Sequence, residues 1–149
     1  MDQTKISISL LTSERAIRDA FTVMSELRGH LDEETYVALV KEAQGKDQYH
    51  LAALYYQNKI VAAVGFKPKI TLYYGRFVWV NDLVTTASMR SHGLGETLLR
   101  YVENWALAHG YEAVALSSGL QRTDAHRFYE QKMAYDRVSY VFKKVLNNN

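Results

Sequence analysis

The spacing of apolar positions changes along the chain, and the changes mark out its elements. Residues 5–11 alternate weakly, which predicts a strand. Ala16, Ile17, Ala20, Phe21, Met24 and Leu27 then recur at helical spacing, with Ser13 as N-cap and Gly29 as terminator. Asp32 is placed to cap a second helix carrying Tyr36, Val37, Leu39, Val40 and Ala43, stopped near Gly45. Residues 49–56 and 60–66 read as a hairpin around Gln57-Asn58-Lys59. Residues 73–85 are rich in aromatic and β-branched side chains and predict a long strand. Leu94, Leu98, Leu99, Val102 and Ala106 return to the helical period up to Gly110. The mostly apolar run 111–118 predicts a central strand, residues 123–133 a short helix and 135–146 a last strand. The expected order is β-α-α-β-β-β-α-β-α-β, an α/β chain with one mixed sheet and helices on its faces.

The junction between the long strand and the third helix carries candidate chemistry. It reads Leu83-Val84-Thr85, then Arg90-Ser91-His92-Gly93-Leu94-Gly95-Glu96. Glycine lets a backbone turn tightly and approach a ligand. The first amides of a helix lack intrahelical partners, and the helix dipole favours an anion beside them. Arg90 adds a forked cation suited to phosphate. The two glycines alone also fit a tight strand-to-helix turn with no ligand.

Composition narrows the reading. At 149 residues the chain is expected to be one domain spanning 1–149, and 48 % apolar with 23 % charged residues is a globular balance. The net charge of +2 gives no footprint for nucleic acid or for a membrane surface. No run is long enough to span a bilayer, and residues 1–11 lack the form of a signal peptide. A cytoplasmic location is the resulting expectation. Cys is absent, which excludes disulfides, thiolate nucleophiles and cysteine metal sites. His30, His50, His92 and His109 show no ligand spacing, so no metal is assigned.

Element order and motifs together resemble the GCN5-related N-acetyltransferase (GNAT) superfamily over nearly the whole chain. Two motifs carry the resemblance: the strand end with Arg90-x-x-Gly93-x-Gly95, and Asp124-Ala125-His126-Arg127-Phe128-Tyr129-Glu130, which looks like the family's Ala-x-x-Phe-Tyr helix. The resemblance implies that Leu83, Val84 and Thr85 offer backbone groups to the pantetheine arm of acetyl-CoA. It implies that Arg90, Ser91, His92, Gly93, Leu94, Gly95 and Glu96 wrap the pyrophosphate, with His126 also on the cofactor side. It implies that Tyr129 lies near the thioester sulfur and acts as general acid. Ala134 stands where the family usually has glycine, which implies a turn without positive φ. The family often pairs its subunits, so a homodimer is an arrangement that the resemblance allows.

The implied reaction is acetyl transfer to a primary amine, with a small-molecule acceptor as the first expectation. A protein or peptide amine and a non-catalytic acyl-CoA-binding module are the alternatives. Without Cys, direct attack in a ternary complex is the mechanism. A backbone N–H at Val84 or Thr85 would hold the oxyanion. Tyr129 would protonate the leaving thiolate. Asp82 is the candidate base, with His126 and an already neutral acceptor as alternatives. Each also has a structural reading: Tyr129 as a core aromatic, Asp82 as a hydrogen-bond acceptor, His126 as a packing residue. Acceptor contacts are expected around residues 28–31, near Trp79 and Asp82, and in the tail.

Overall fold

The computed structural model describes residues 1–147. They divide into two compact units, Met1–Leu116 and a second beginning at Ser117.

The first unit holds a five-stranded sheet in the order β1-β2-β3-β4-β5. Its strands are β1 (Ile6–Leu10), β2 (His50–Tyr56), β3 (Lys59–Thr71), β4 (Gly75–Thr85) and β5 (Ala113–Leu116). The first four pair antiparallel and β5 joins β4 in parallel, so the sheet is mixed. Helices α1 (Glu14–Asp19), α2 (Phe21–Met24) and α3 (Glu33–Lys46) follow β1, and α4 (Leu94–Ala108) links β4 to β5. No helix among the described residues is long and apolar enough to cross a membrane.

Local sequence explains most boundaries. The Ser13 side chain accepts from the Ala16 amide and Asp32 from the Thr35 amide, so both expected caps form. The first predicted helix divides at Ala20, whose amide reaches Ile17, three residues back. Its apolar stripe nevertheless runs on, because Ile17, Ala20, Val23 and Met24 bury in one cluster with Tyr36, Val37 and Val40 of α3. The turn between β2 and β3 has positive φ at Gln57 and Asn58, as a two-residue hairpin turn requires. Strand β3 runs five residues past the predicted end at 66 and takes in Pro68. Its pairing with β2 ends at Phe66, so Pro68 sits where only β4 adjoins and one missing N–H is tolerated.

Two expectations fail. Residues 111–118 were expected to form a central strand, but β5 is an edge strand of only four residues with Ala113 exposed. The expected last strand, 135–146, does not form: residues 136–147 carry no strand, and Tyr140 and Phe142 are exposed. Among the described residues β5 has a neighbour on its β4 side alone.

The second unit contains α5 (Thr123–Arg127) continued by a π-helical turn, Phe128–Lys132. Tyr129 and Met133 are its buried side chains. The Met133 amide reaches Phe128 at 3.1 Å and the Tyr135 amide reaches Tyr129 at 2.8 Å, which closes the turn. This closure holds Ala134 at φ 59°, against the expectation of a turn without positive φ. An L-residue there costs ~1 kcal/mol relative to glycine. Ala134→Gly is therefore expected to raise stability by about that amount, read as a higher urea midpoint and slower exchange of the Tyr135 amide.

Candidate active site

The site is built on a change in β4. Up to Val80 the strand is paired on both sides, with β3 and, through Val80 opposite Leu116, with β5. Beyond Val80 only the β3 ladder continues, to Thr85 opposite Ala62. The change coincides with a bulge: Gly65 faces Asp82 and Phe66 faces Val80, leaving Asn81 as the extra residue.

The pleat decides which backbone groups are exposed by this change. The Thr86 amide donates to the Val61 carbonyl at 2.8 Å. Peptide groups alternate sides along a strand, so those of Val84 face Ala63 in the ladder, and those of Leu83 and Thr85 face away from β3. Of the two amides expected to hold an oxyanion, Thr85 has the open orientation. The Val84 side chain is buried in the helix-covered core.

The glycine loop follows directly. Ser91 and Gly93 both have positive φ, 67° and 76°, so the backbone reverses handedness twice before α4. Gly93 is the N-cap and provides no side-chain cap, which leaves the opening amides of Leu94 and Gly95 without intrahelical acceptors. A Cβ at Gly93 would meet nothing within 4 Å. No protein neighbour therefore calls for this glycine; its backbone angle does. Leu94 is buried and anchors the helix, while Arg90, Ser91, His92 and Gly93 are exposed. The Arg90 Nε donates to the outward-facing Thr85 carbonyl at 3.4 Å, which ties the loop back to the strand end. Glu96 lies in the first turn of α4, within 3.9 Å of Arg100.

Asp82 lies beside the bulge and is held on both oxygens. The Arg28 Nε donates to Oδ1 at 2.9 Å and the Tyr49 hydroxyl to Oδ2 at 2.7 Å. Arg28 also donates, through Nη2, to the Asn81 carbonyl that the bulge releases from the ladder. Burial, and then the neighbouring Asp82 carboxylate, push the Tyr49 hydroxyl well above the ordinary tyrosine range, so it stays a donor. Two residues before Arg28, Glu26 accepts from the Thr86 hydroxyl at 2.5 Å and the Ala87 amide at 2.9 Å. The segment after α2 thus grips β4 at both ends of its one-sided stretch.

Tyr129 and His126 belong to the second unit. Tyr129 is buried within the π turn, and desolvation raises its pKa, an effect that the Arg122 guanidinium beside it opposes. The His126 Nε2 lies 2.9 Å from the Gly119 carbonyl. A carbonyl only accepts, so Nε2 carries the proton of that bond and Nδ1 is the ring's remaining acceptor.

Residues 15–135 match the model of the Acetyltransferase (GNAT) family. The chain belongs to the GNAT acetyltransferase family. This N-acetyltransferase is 45 % identical over 139 residues to the uncharacterized N-acetyltransferase YhdJ of Bacillus subtilis, covering 93 % of this chain and 98 % of that one. It is 29 % identical over 90 residues to an aminoalkylphosphonate N-acetyltransferase of Salmonella typhimurium, covering 60 % of this chain and 58 % of the relative. Its fold is that of the aminoglycoside N-acetyltransferase AAC(6')-Iy solved with CoA, at a TM-score of 0.83 and 12 % identity over 95 % of this chain and 94 % of that one.

Sequence reasoning missed the ring of side chains around the acetyltransferase's Asp82. Arg28 was included only as part of a loosely defined acceptor region, and Tyr49, Gly65 and Glu26 were not singled out. A tyrosine just before β2 and a glycine inside β3 carry no local signal; only the register brings Gly65 opposite Asp82. Trp79, expected near the acceptor, lies beneath the Lys69 ammonium, 5.3 Å from its centroid.

Glu26→Ala is expected to release the start of the loop without melting the ladder. Exchange of the Ala87 amide should quicken by about tenfold, while that of Thr86, bonded to Val61, holds. Equal acceleration at both amides would show that Glu26 supports the strand generally.

Proposed function

We propose that this acetyltransferase moves an acetyl group from acetyl-CoA to a primary amine of a small molecule, by direct attack in a ternary complex. The observation that carries the reading is the one-sided end of β4 running straight into the glycine loop. An extended amide-bearing arm such as pantetheine matches the peptide groups of Leu83 and the Thr85 amide, which face away from β3, as an added strand would. A pyrophosphate matches the loop from Arg90 to Glu96, where helix amides and a guanidinium converge.

The chemistry divides among few groups. The amine nitrogen attacks the thioester carbon and the carbonyl oxygen takes the negative charge, which the outward Thr85 amide is oriented to stabilise. Asp82 holds the incoming ammonium and takes up its proton. Collapse of the intermediate breaks the carbon–sulfur bond, Tyr129 gives its phenolic proton to the leaving thiolate, and the second proton lost by the attacking nitrogen returns to the Tyr129 phenolate, so that the products are the neutral amide and the thiol. Burial keeps that phenol protonated until the thiolate forms. A small acceptor is supported by two similar proteins whose names specify small amines, an aminoalkylphosphonate and an aminoglycoside enzyme.

Calorimetric titration with acetyl-CoA and with CoA is expected to show micromolar binding. Gly93→Val should weaken it by at least about tenfold, since a branched side chain cannot take that backbone angle or let pyrophosphate approach. Retained affinity in the variant would remove the loop from the binding site. Turnover should follow with an amine panel containing an aminoalkylphosphonate, an aminoglycoside and a short peptide with a free N-terminus. With the best acceptor, Tyr129→Phe should lower kcat by about 100-fold and leave CoA affinity unchanged. An unchanged kcat would take the acid role from Tyr129.

A further inference from the structure

Gly65 is a glycine for a reason that packing alone does not supply. It lies in the buried run of β3, and its φ is not in the left-handed region. A Cβ there would stand 1.8 Å from the Tyr49 hydroxyl oxygen and 2.5 Å from its Cζ. Tyr49 therefore crosses β3 through the space where a side chain would be, and its hydroxyl meets Asp82 on β4, directly opposite Gly65. A tyrosine needed only for its bulk has no cause to end on a carboxylate. Its 2.7 Å hydrogen bond to Oδ2 works with the Arg28 bond to Oδ1 to fix the carboxylate on both oxygens.

We infer that Tyr49, admitted across β3 by Gly65, is a positioning residue of this transferase that orients the Asp82 carboxylate toward the acceptor amine. The inference rests on the reading of Asp82 as the group that receives the amine's proton. A carboxylate offers about four lone-pair directions. Arg28 and Tyr49 occupy one on each oxygen, which leaves one on each for a further donor. Both partners hold their own positions. Arg28 is tied to the Asn81 carbonyl, and Tyr49 is a rigid ring packed in the core cluster. The side chain of Asp82 remains 17 % exposed, enough for a small ligand group to reach it. A carboxylate so held presents its remaining lone pairs in one direction, where a free one would rotate among several. That is the organisation a proton acceptor needs before its substrate arrives.

The test is a double-mutant cycle on the full chain, with acetyl-CoA and the best acceptor of the amine panel. Tyr49→Phe keeps the ring and removes only the hydroxyl. It is expected to lower kcat by about tenfold while leaving KM for acetyl-CoA unchanged. In an Asp82→Asn background the same substitution should change kcat less than twofold, because two residues acting as one unit are not additive. Gly65→Ala should reproduce the loss seen in Tyr49→Phe; should it not fold, the Tyr49→Phe arm decides alone. If Asp82→Asn is impaired but Tyr49→Phe is not, or if Tyr49→Phe costs the same in both backgrounds, Tyr49 is structural and the inference falls while the role of Asp82 stands. If Asp82→Asn turns over normally, the proton-acceptor role of Asp82 fails, and the positioning role fails with it.

Discussion

The loss of a second neighbour along β4 is the constraint on which the rest of the site depends. A central strand normally satisfies its peptide groups on both sides, and leaving them unpaired away from water costs free energy. In this protein the ladder to β5 stops at Val80 while the ladder to β3 runs on to Thr85. The bulge at Asn81 coincides with that transition. A bulge bends a strand and increases its twist, which is a way for β4 to leave one neighbour and keep the other. The helix that must follow then begins close to the freed peptide groups, and its own opening amides are unpaired for an independent geometric reason. Two sets of unsatisfied donors thus arise within a dozen residues of each other, one from sheet topology and one from helix geometry.

The same transition explains why a carboxylate and its partners stand at the edge of an apolar core. No polar or charged residue other than tyrosine is fully buried among the described residues. The face of β4 under α1–α3 contributes Val84 to the core cluster, and Asp82, two residues earlier, shares that face. A lone carboxylate there would incur a desolvation cost. Arg28, Tyr49 and the absence of a side chain at Gly65 offset it. The arrangement also binds the segment after α2 to the strand, since Arg28 takes the Asn81 carbonyl and Glu26 takes the Thr86 hydroxyl and Ala87 amide. The polar groups on this side of β4 therefore fix a connection between helices that would otherwise be an ordinary surface loop.

How much of this was legible in the sequence depends on the range of the forces involved. Ser13 and Asp32 announce their helices because a cap is a three-residue interaction. The glycine loop is legible because positive φ at Gly93 restricts the residue type locally. Ser91, equally left-handed, is not legible, since serine carries no such mark. Ala134 misled for the same reason: a closed π turn imposed a backbone angle that alanine adopts at a cost, and the residue type alone suggested the opposite. Strand 135–146 misled differently. Its apolar content is real, but a strand exists only with a partner, and pairing is a property of the whole sheet. The Tyr49–Asp82 contact spans 33 residues and depends on a bulge, so no local pattern could contain it.

These differences follow the division of labour in the candidate chemistry. In the proposed reading, recognition of a long, amide-bearing and phosphorylated donor falls to the backbone: the peptide groups of Leu83 and Thr85 and the first amides of α4. Backbone groups are the same whatever the side chains, so the sequence marks them only where geometry demands glycine. The same reading gives proton movement, in contrast, to side chains. Tyr129 is buried beside Arg122 and Asp82 is held between Arg28 and Tyr49. Burial disfavours the ionised form of Tyr129, and the Arg122 cation beside it acts the other way. Each of the two residues proposed to handle protons thus has an arginine as its neighbour, and both arginines lie outside the two motifs. The proposal ties acceptor specificity to the same side-chain system, because the guanidinium that holds Asp82 also sits on the segment expected to meet the acceptor. On that proposal a change at Arg28 would alter both which amine is bound and how its proton is received, because one guanidinium holds both the carboxylate and the Asn81 carbonyl.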